Sequence, residues 1–514
     1  MPHEPLAEDQ RHEMLRSPHV LDGAPGEAIE RAMARATGAR LTLGNRVSLQ
    51  FDGPLTFDLW LEAIGQAKHF IHFENYILRN DPVGRRFRDA LIERAQAGVE
   101  VRVLYDWMGC WATPRRYWKP FKQAGVEVRA YNPPSFGDPF GLLQRDHRKL
   151  VCVDGEVAFI GGFCVGQEWA GSEHDPPWRD TGVEMRGPAA ATAAGAFGQI
   201  WSLMGEPVPE DLAPRPETAP AAGTTPVWLI EGVPWRTRVY RAVQLIAATA
   251  RERIWITDPY FVTPRPVAEG LMAAARDGVD VRVLVPAHNN WPWVGSLVRS
   301  GYRTLLESGV RIFEWQGPMI HAKTAVADGI WCRVGSSNLN AASLLGNWEI
   351  DAGILDPELA RALEALFLAD LASAVEIVLP GRRPPTTQHP SMDQVLRPRT
   401  SSLEPEGLQD RIDRIRRMGA GQSGTGLASL VRAGSATLDA IAGRRTLDRE
   451  NRTVLMTTAL GLVILAVAAT IWPHVAGLVL AALLGWVGVT TGLRALLQAR
   501  RARQEIQAGR RSVP

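Results

Sequence analysis

Cysteine and lysine are both scarce in this 514-residue chain. Its four cysteines (Cys110, Cys152, Cys164, Cys332) are scattered and form no CxxC pair. That excludes a disulfide framework and reads as buried free thiols in a reducing compartment. Only Lys68, Lys119, Lys122, Lys149 and Lys323 are lysine among 57 basic residues. Where a positive charge alone is enough, the chain uses Arg, so a retained Lys hints at a site that wants a compact ammonium. The N-terminal MPHEPLAEDQRHEM has four acids and no apolar stretch, which argues against a signal peptide. With 46% apolar and 22% charged residues, disorder throughout and a collagen-like chain are excluded. Length suggests roughly two to four domains.

Charge is unevenly spread. Residues 381–514 hold 19 Arg and 9 acids, a net of +10, which leaves −8 for the rest. An acidic body with a basic tail argues against a nucleic-acid substrate and suits a module held on an anionic surface. From 453 to 493 no Asp, Glu, Lys or Arg occurs. Trp472-Pro473-His474 splits this run into two halves, each about the ~20 residues that span a bilayer. A transmembrane hairpin over 453–496 is therefore expected. Arg444, Arg445, Arg449 and Arg452 precede it, and Arg494, Arg500, Arg501 and Arg503 follow. By the positive-inside rule both ends lie in the cytoplasm, which tethers the body to the cytoplasmic side of the inner membrane. Residues 407–419 (GLQDRIDRIRRMG) read as a basic amphipathic helix able to lie on anionic headgroups.

The body repeats. AGVEVRVLYD (97–106) matches DGVDVRVLVP (277–286), and HRKLVCVDGEVAFIGG (147–162) matches HAKTAVADGIWCRVGS (321–336). Short β-branched runs alternate with helical patterns in each copy, an α/β pattern with parallel pairing. The expected organisation is an N-terminal extension (1–45), a first half (46–205) and a Pro/Ala/Glu-rich linker (206–226). A second half (227–375), a linker carrying the amphipathic helix (376–452), the hairpin (453–496) and a basic tail (497–514) follow. Two related halves predict pseudo-twofold symmetry, with a site on the axis.

Each half carries His-x-Lys-x4-Asp: His147, Lys149, Asp154 and His321, Lys323, Asp328. On a strand, i and i+2 share a face, so each motif presents an imidazole and an ammonium together. Two ammoniums brought together repel unless an anion sits between them. Paired imidazoles can serve as nucleophile and general acid. The ligand implied is a phosphodiester. No stretch has metal-ligand spacing.

This double motif resembles the phospholipase D superfamily, and residues about 45–375 resemble its bacterial cardiolipin synthase branch. The second half shows the full pattern, with Gly335-Ser336-x-Asn338 and then Glu349. The first half matches in WRDTGVEMRGP (178–188), while Gly162 and Cys164 stand at the Ser and Asn positions. IHFENYIL with Glu74 and ITDPYF with Asp258 also look like this branch. The resemblance implies that one His attacks phosphorus and the other protonates the leaving oxygen, with no ATP and no metal. It gives Lys149, Lys323 and Asn338 to the phosphate oxygens, Ser336 to binding phosphate or orienting a His, and Glu349 and Asp180 to orienting an imidazole. Asp154 and Asp328 belong to the catalytic motif as supporting residues. The implied reaction joins two phosphatidylglycerols into cardiolipin and releases glycerol. A hydrolase, with water as acceptor, and a catalytically dead lipid-binding scaffold remain open at this point. Trp111 and Trp291 are equivalent, with Trp107 and Trp293 nearby, all just after strands. They are read as an acyl-chain entrance or a membrane contact.

Overall fold

The computed structural model describes residues 24–134, 144–379 and 444–446. The chain divides into a body, residues 1–131 and 145–447, and a second unit of 132–144 and 448–514. The expected hairpin, basic tail and amphipathic helix lie outside the described residues. Among the described residues no helix is long and apolar enough to cross a membrane.

The first half contributes β1 (Leu41–Gln50), β2 (Phe70–Asn75), β3 (Glu100–Asp106), β4 (Glu127–Tyr131), β5 (Lys149–Val153), β6 (Val157–Gly161) and β7 (Gly182–Arg186). The second contributes β8 (Thr225–Gly232), β9 (Arg253–Thr257), β10 (Asp280–Pro286), β11 (Arg311–Trp315), β12 (Thr324–Ala327), β13 (Trp331–Gly335), β14 (Glu349–Leu355) and β15 (Ala374–Val378). They form one sheet, ordered β15-β11-β10-β9-β12-β13-β14-β8-β1-β7-β6-β5-β2-β3-β4, with Arg444–Thr446 outside β15. Read outward from the antiparallel β1–β8 seam, the two halves have the same order, which is the expected pseudo-twofold.

Within the two halves the expected parallel pairing holds in β2-β3-β4 and β9-β10-β11, and Arg444–Thr446 also runs parallel to β15. The remaining pairs within each half are antiparallel, so the sheet is mixed. The reason is local. Asp154-Gly155 and Asp328-Gly329 close tight turns with φ of 54°, 69°, 51° and 65°, the positive-φ pair of a type I′ hairpin. Such a turn reverses the chain, so β5 pairs antiparallel with β6 and β12 with β13. The N-terminal extension is also shorter than expected, because β1 begins at Leu41.

Three helices begin where Asp precedes Pro or Gly-Pro. Asp52, Asp81 and Asp356 each accept a backbone N–H in the first turn of helices Gly53–Gly65, Pro82–Gln96 and Pro357–Leu371. The Ala-rich helix Pro188–Leu203 and its counterpart Pro357–Leu371 lie in one shared core against both halves. Each half has its own core on the opposite sheet face. All four cysteines are buried and unbridged.

Candidate active site

The seam does more than extend a sheet. His147 N donates to Trp348 O and Trp348 N to Arg145 O; the symmetry-related pair is His321 N to Arg179 O and Arg179 N to Met319 O. Each His-x-Lys segment is thus strung against the acid-bearing segment of the other half. The side chains follow. His147 Nδ1 lies 3.0 Å from both carboxylate oxygens of Glu349, and His321 Nδ1 lies 2.7 Å from Asp180 Oδ2. The carboxylates named from sequence do hold the imidazoles, but each serves the ring of the opposite half.

Both carboxyls are held below the usual carboxylate range. Burial opposes ionisation of Asp180, but His321, Lys323 and the Trp169 indole outweigh it. For Glu349, burial is outweighed by His147, Lys149 and the Ser336 hydroxyl. An ionised carboxylate only accepts, so each Nδ1 carries a proton and each Nε2 keeps its lone pair. Burial, then Lys323, pushes His321 down to about 3. Burial also lowers His147, and both lysines add to that effect while Glu349 opposes it. Each ring feels the lysines of both halves, the electrostatic mark of one shared site. Lys323, buried and close to Lys149, is lowered to about 8. Lys149 and Lys323 both donate to the carbonyl of their own motif histidine.

The acids that complete each motif lie elsewhere. Asp154 accepts the backbone N–H groups of Lys68, His69 and Phe70 at 2.8 Å each. Asp328 does the same for Arg251, Glu252 and Arg253 at 2.8–2.9 Å. Both sit in the hairpin turns at the far ends of β5 and β12 from the imidazoles. Grouping them with the catalytic residues is therefore corrected. They are structural clamps, as their supporting role implied.

Ser336 Oγ donates to Glu349 Oε2 at 2.5 Å, so it steadies the carboxylate; no phosphate is needed to explain it. Asn338 is buried, with Nδ2 3.4 Å from Ser343 Oγ and Oδ1 without a partner among the described residues. In the first half Cys164 is buried at the corresponding place, its thiol raised by burial despite both lysines. Asp258 accepts from Tyr260 N at 2.8 Å and Leu339 N at 2.6 Å, tying the Asn338 loop to β9. Its register counterpart is Asn75, which accepts from Ile77 N. Glu74 is buried in the core, where burial and then Asp146 raise its carboxyl well above the usual range, against Arg148.

Three aromatic groups escaped the sequence reading. Tyr76 stands edge-on to His147 at 4.8 Å and Tyr260 to His321 at 6.0 Å. Trp169 stands edge-on to His321 at 5.4 Å. The N-Y of one half and D-P-Y of the other were the available signal for the tyrosines. The four flagged tryptophans divide. Trp111, Trp291 and Trp293 are 72%, 56% and 65% exposed, whereas Trp107 is half-buried. Asn290, beside Trp291, holds the Tyr260 hydroxyl, which places that loop next to the site. Trp235, at φ 65°, is also highly exposed, and its backbone N–H bonds Leu345 O, seven residues beyond Asn338.

Two imidazoles whose Nε2 atoms have no partner among the described residues, two buried lysines and two buried carboxylates make a site able to hold and exchange a phosphodiester. The comparisons agree. The family model described as "Cardiolipin synthase, PLD-like domain" matches residues 60–168 and 243–371. Cardiolipin synthase A of Pseudomonas aeruginosa is 35% identical over 356 residues, 69% of this chain and 72% of that protein. A cardiolipin synthase of Geobacillus is 34% identical over 347 residues, 66% and 68% of the two chains. The crystal structure of a phosphatidylserine synthase from Haemophilus influenzae shares the fold, with a TM-score of 0.54 at 14% identity over 76% of this chain and 98% of that one. The chain belongs to the phospholipase D superfamily, in its cardiolipin synthase branch, and is a phosphatidyltransferase of that type. Its substrate is a phospholipid and its setting a membrane.

Proposed function

We propose that this enzyme makes cardiolipin, transferring the phosphatidyl group of one phosphatidylglycerol to a hydroxyl of another. The observation that carries the reading is the crossed pairing of His147 with Glu349 and His321 with Asp180 around two buried lysines. The anionic phosphodiester sits against Lys149 and Lys323, which relieves their mutual repulsion. One Nε2 attacks phosphorus. The P–O bond to the departing glycerol breaks, and the other imidazole, protonated once the anion is bound, gives that oxygen its proton. The acceptor hydroxyl then loses a proton to the same ring and attacks phosphorus, breaking the P–N bond. Diester replaces diester, so two low barriers stand in for one high one. Water at ~55 M competes for the intermediate, and Tyr76, Tyr260 and Trp169 around the rings restrict it.

The exposed Trp111, Trp291 and Trp293, with Trp235, form an apolar rim that meets the lipid interface and admits acyl chains, with Trp107 behind it. Tryptophan is suited to that boundary. The 453–496 run anchors the body to the inner face of the cytoplasmic membrane. Vesicles of phosphatidylglycerol labelled in headgroup and acyl chains, with products resolved by mass spectrometry, test the proposal. Cardiolipin plus free glycerol, lost in His147→Ala and His321→Ala, supports it. Phosphatidic acid without cardiolipin makes the enzyme a hydrolase. No turnover of phosphatidylglycerol refutes the choice of substrate.

A further inference from the structure

The two halves share a reaction but do not build their carboxylates alike. In the second half, the Ser336 hydroxyl donates to Glu349 Oε2 at 2.5 Å. In the first half the same backbone position is Gly162, which has no hydroxyl. Space forbids one. A Cβ on Gly162 would lie 2.0 Å from Asp180 Oδ1, because the shorter Asp side chain fills that volume. Asp180 nevertheless has a full set of donors. Thr181 N reaches Oδ1 at 2.8 Å, and Trp169 Nε1 reaches Oδ2 at 2.8 Å, the same oxygen that meets His321 Nδ1 at 2.7 Å.

We propose that Trp169 is the positioning residue of the first half, its indole N–H holding Asp180 on His321 as the Ser336 hydroxyl holds Glu349 on His147. The substitution is chemical as well as spatial. A hydroxyl can donate or accept, whereas an indole N–H only donates. Trp169 therefore favours the ionised form of Asp180 and with it the Nδ1–H tautomer of His321. Its ring also stands edge-on to that imidazole, and Trp178 packs against both, with centroids 4.8 Å from Trp169 and 5.9 Å from His321. The position of Trp169 is fixed from behind. Its carbonyl lies against Gly53 at the start of helix Gly53–Gly65, where a Cβ would come to 1.9 Å. Trp178 N binds Glu168 O at 2.7 Å and closes the loop between Trp169 and Asp180. Gly162, Asp180 and Trp169 thus form one matched set, replacing the Ser336–Glu349 pair.

The inference rests on the phosphodiester-exchange chemistry but not on the identity of the acceptor. Trp169→Phe keeps a ring and removes the donor. Phosphatidylglycerol turnover by any acceptor is measured against pH for this variant, Ser336→Ala and the double variant. Each single change lowers kcat by about 10- to 100-fold, the usual cost of a hydrogen bond to a charged group, with KM within about two-fold. The double variant shows the product of the two losses, because the residues serve different rings. Without its donor Asp180 is more basic and grips the His321 proton harder, so the acid limb of the kcat profile moves upward. Trp169→His, which restores a ring N–H, recovers part of the loss. Wild-type kcat in Trp169→Phe overturns the inference. So does a loss that follows only the folded fraction and leaves the pH profile unmoved. A second readout needs no substrate: the ¹⁵N indole resonance of Trp169, assigned by its disappearance in Trp169→Phe, shifts in Asp180→Asn. If that resonance does not move, the hydrogen bond is absent and the inference fails, whatever the enzyme turns over.

Discussion

Replacing Glu349 by Gln tests the crossed site most directly. The carboxylate is fully buried and contacts His147 Nδ1 through both oxygens at 3.0 Å, with Ser336 on one of them. Gln conserves the shape and removes the charge. Two losses follow. The charge-assisted hydrogen bond to the ring is worth about 1.5–3 kcal/mol, or roughly 10- to 150-fold in rate. The amide NH2 group can also face Nδ1, which turns that atom into an acceptor and puts the proton on Nε2, where the lone pair is required. Where a buried Asp holding a catalytic His was replaced by Asn in this way, kcat fell about 10⁴-fold. A fall of about 10³- to 10⁴-fold in kcat is therefore expected, with little change in KM. The assay is single-turnover release of glycerol from phosphatidylglycerol vesicles. A double-mutant cycle assigns the partner. Ser336→Ala adds nothing in Glu349→Gln, where its target is already lost, but retains its full effect in Asp180→Asn. More than a tenth of wild-type kcat in Glu349→Gln, or full additivity of Ser336→Ala with it, would refute the pairing.

Lys323 is lowered to about 8, first by burial, so in the free enzyme its charge is present below that pH and lost above it. The kcat/KM profile should fall on the alkaline side with an apparent pKa near 8, and a flat profile to pH 10 removes Lys323 from the phosphate site. Asp154→Ala leaves three backbone N–H groups without their acceptor and strains a residue at φ 54°. It should cost about 2–4 kcal/mol in denaturant unfolding while the folded fraction keeps near-normal kcat; abolished chemistry in folded protein would return Asp154 to the active site. Trp111→Ala, Trp291→Ala and Trp293→Ala combined should raise the apparent KM on phosphatidylglycerol vesicles at least about ten-fold but leave turnover of a short-chain soluble analogue intact. An unchanged KM on vesicles would assign these rings to something other than lipid.

Both His-x-Lys motifs and the duplicated order of elements were legible in the sequence, because each is a local pattern that recurs in both halves at drifting offsets, and the family resemblance supplied the two carboxylates. It did not show which carboxylate belongs to which ring. Symmetry hides that choice: Glu349 near His321 and Glu349 near His147 give the same repeat. Only the strand-like pairing of Trp348 with Arg145 and His147 decides it. The mixed sheet was half legible, since Asp154-Gly155 and Asp328-Gly329 are hairpin signals, while β-branched runs alternating with helices suggested parallel strands throughout. In the sequence Gly162 stands where the second half has Ser336. The structure shows that Asp180 occupies its space and that the donor comes from Trp169, seven residues away and on another element. A contact of that kind leaves no periodic trace. The equivalence of Trp111 with Trp291 was visible in the sequence, whereas Trp235 has no counterpart at the repeat offset and so went unnoticed.

The crossed pairing also bears on how the molecule comes into being. The first half leaves the ribosome with His147 and Lys149 but without the carboxylate that orients its ring, which lies 202 residues further along. The second imaging of the same arrangement, His321, waits for the earlier-made Asp180 to be seated against it. No competent imidazole therefore exists until both halves have folded and met at the β1–β8 seam. A nascent or truncated chain carries the nucleophile's residues without its reactivity, so an unfinished enzyme leaves the surrounding phospholipids untouched.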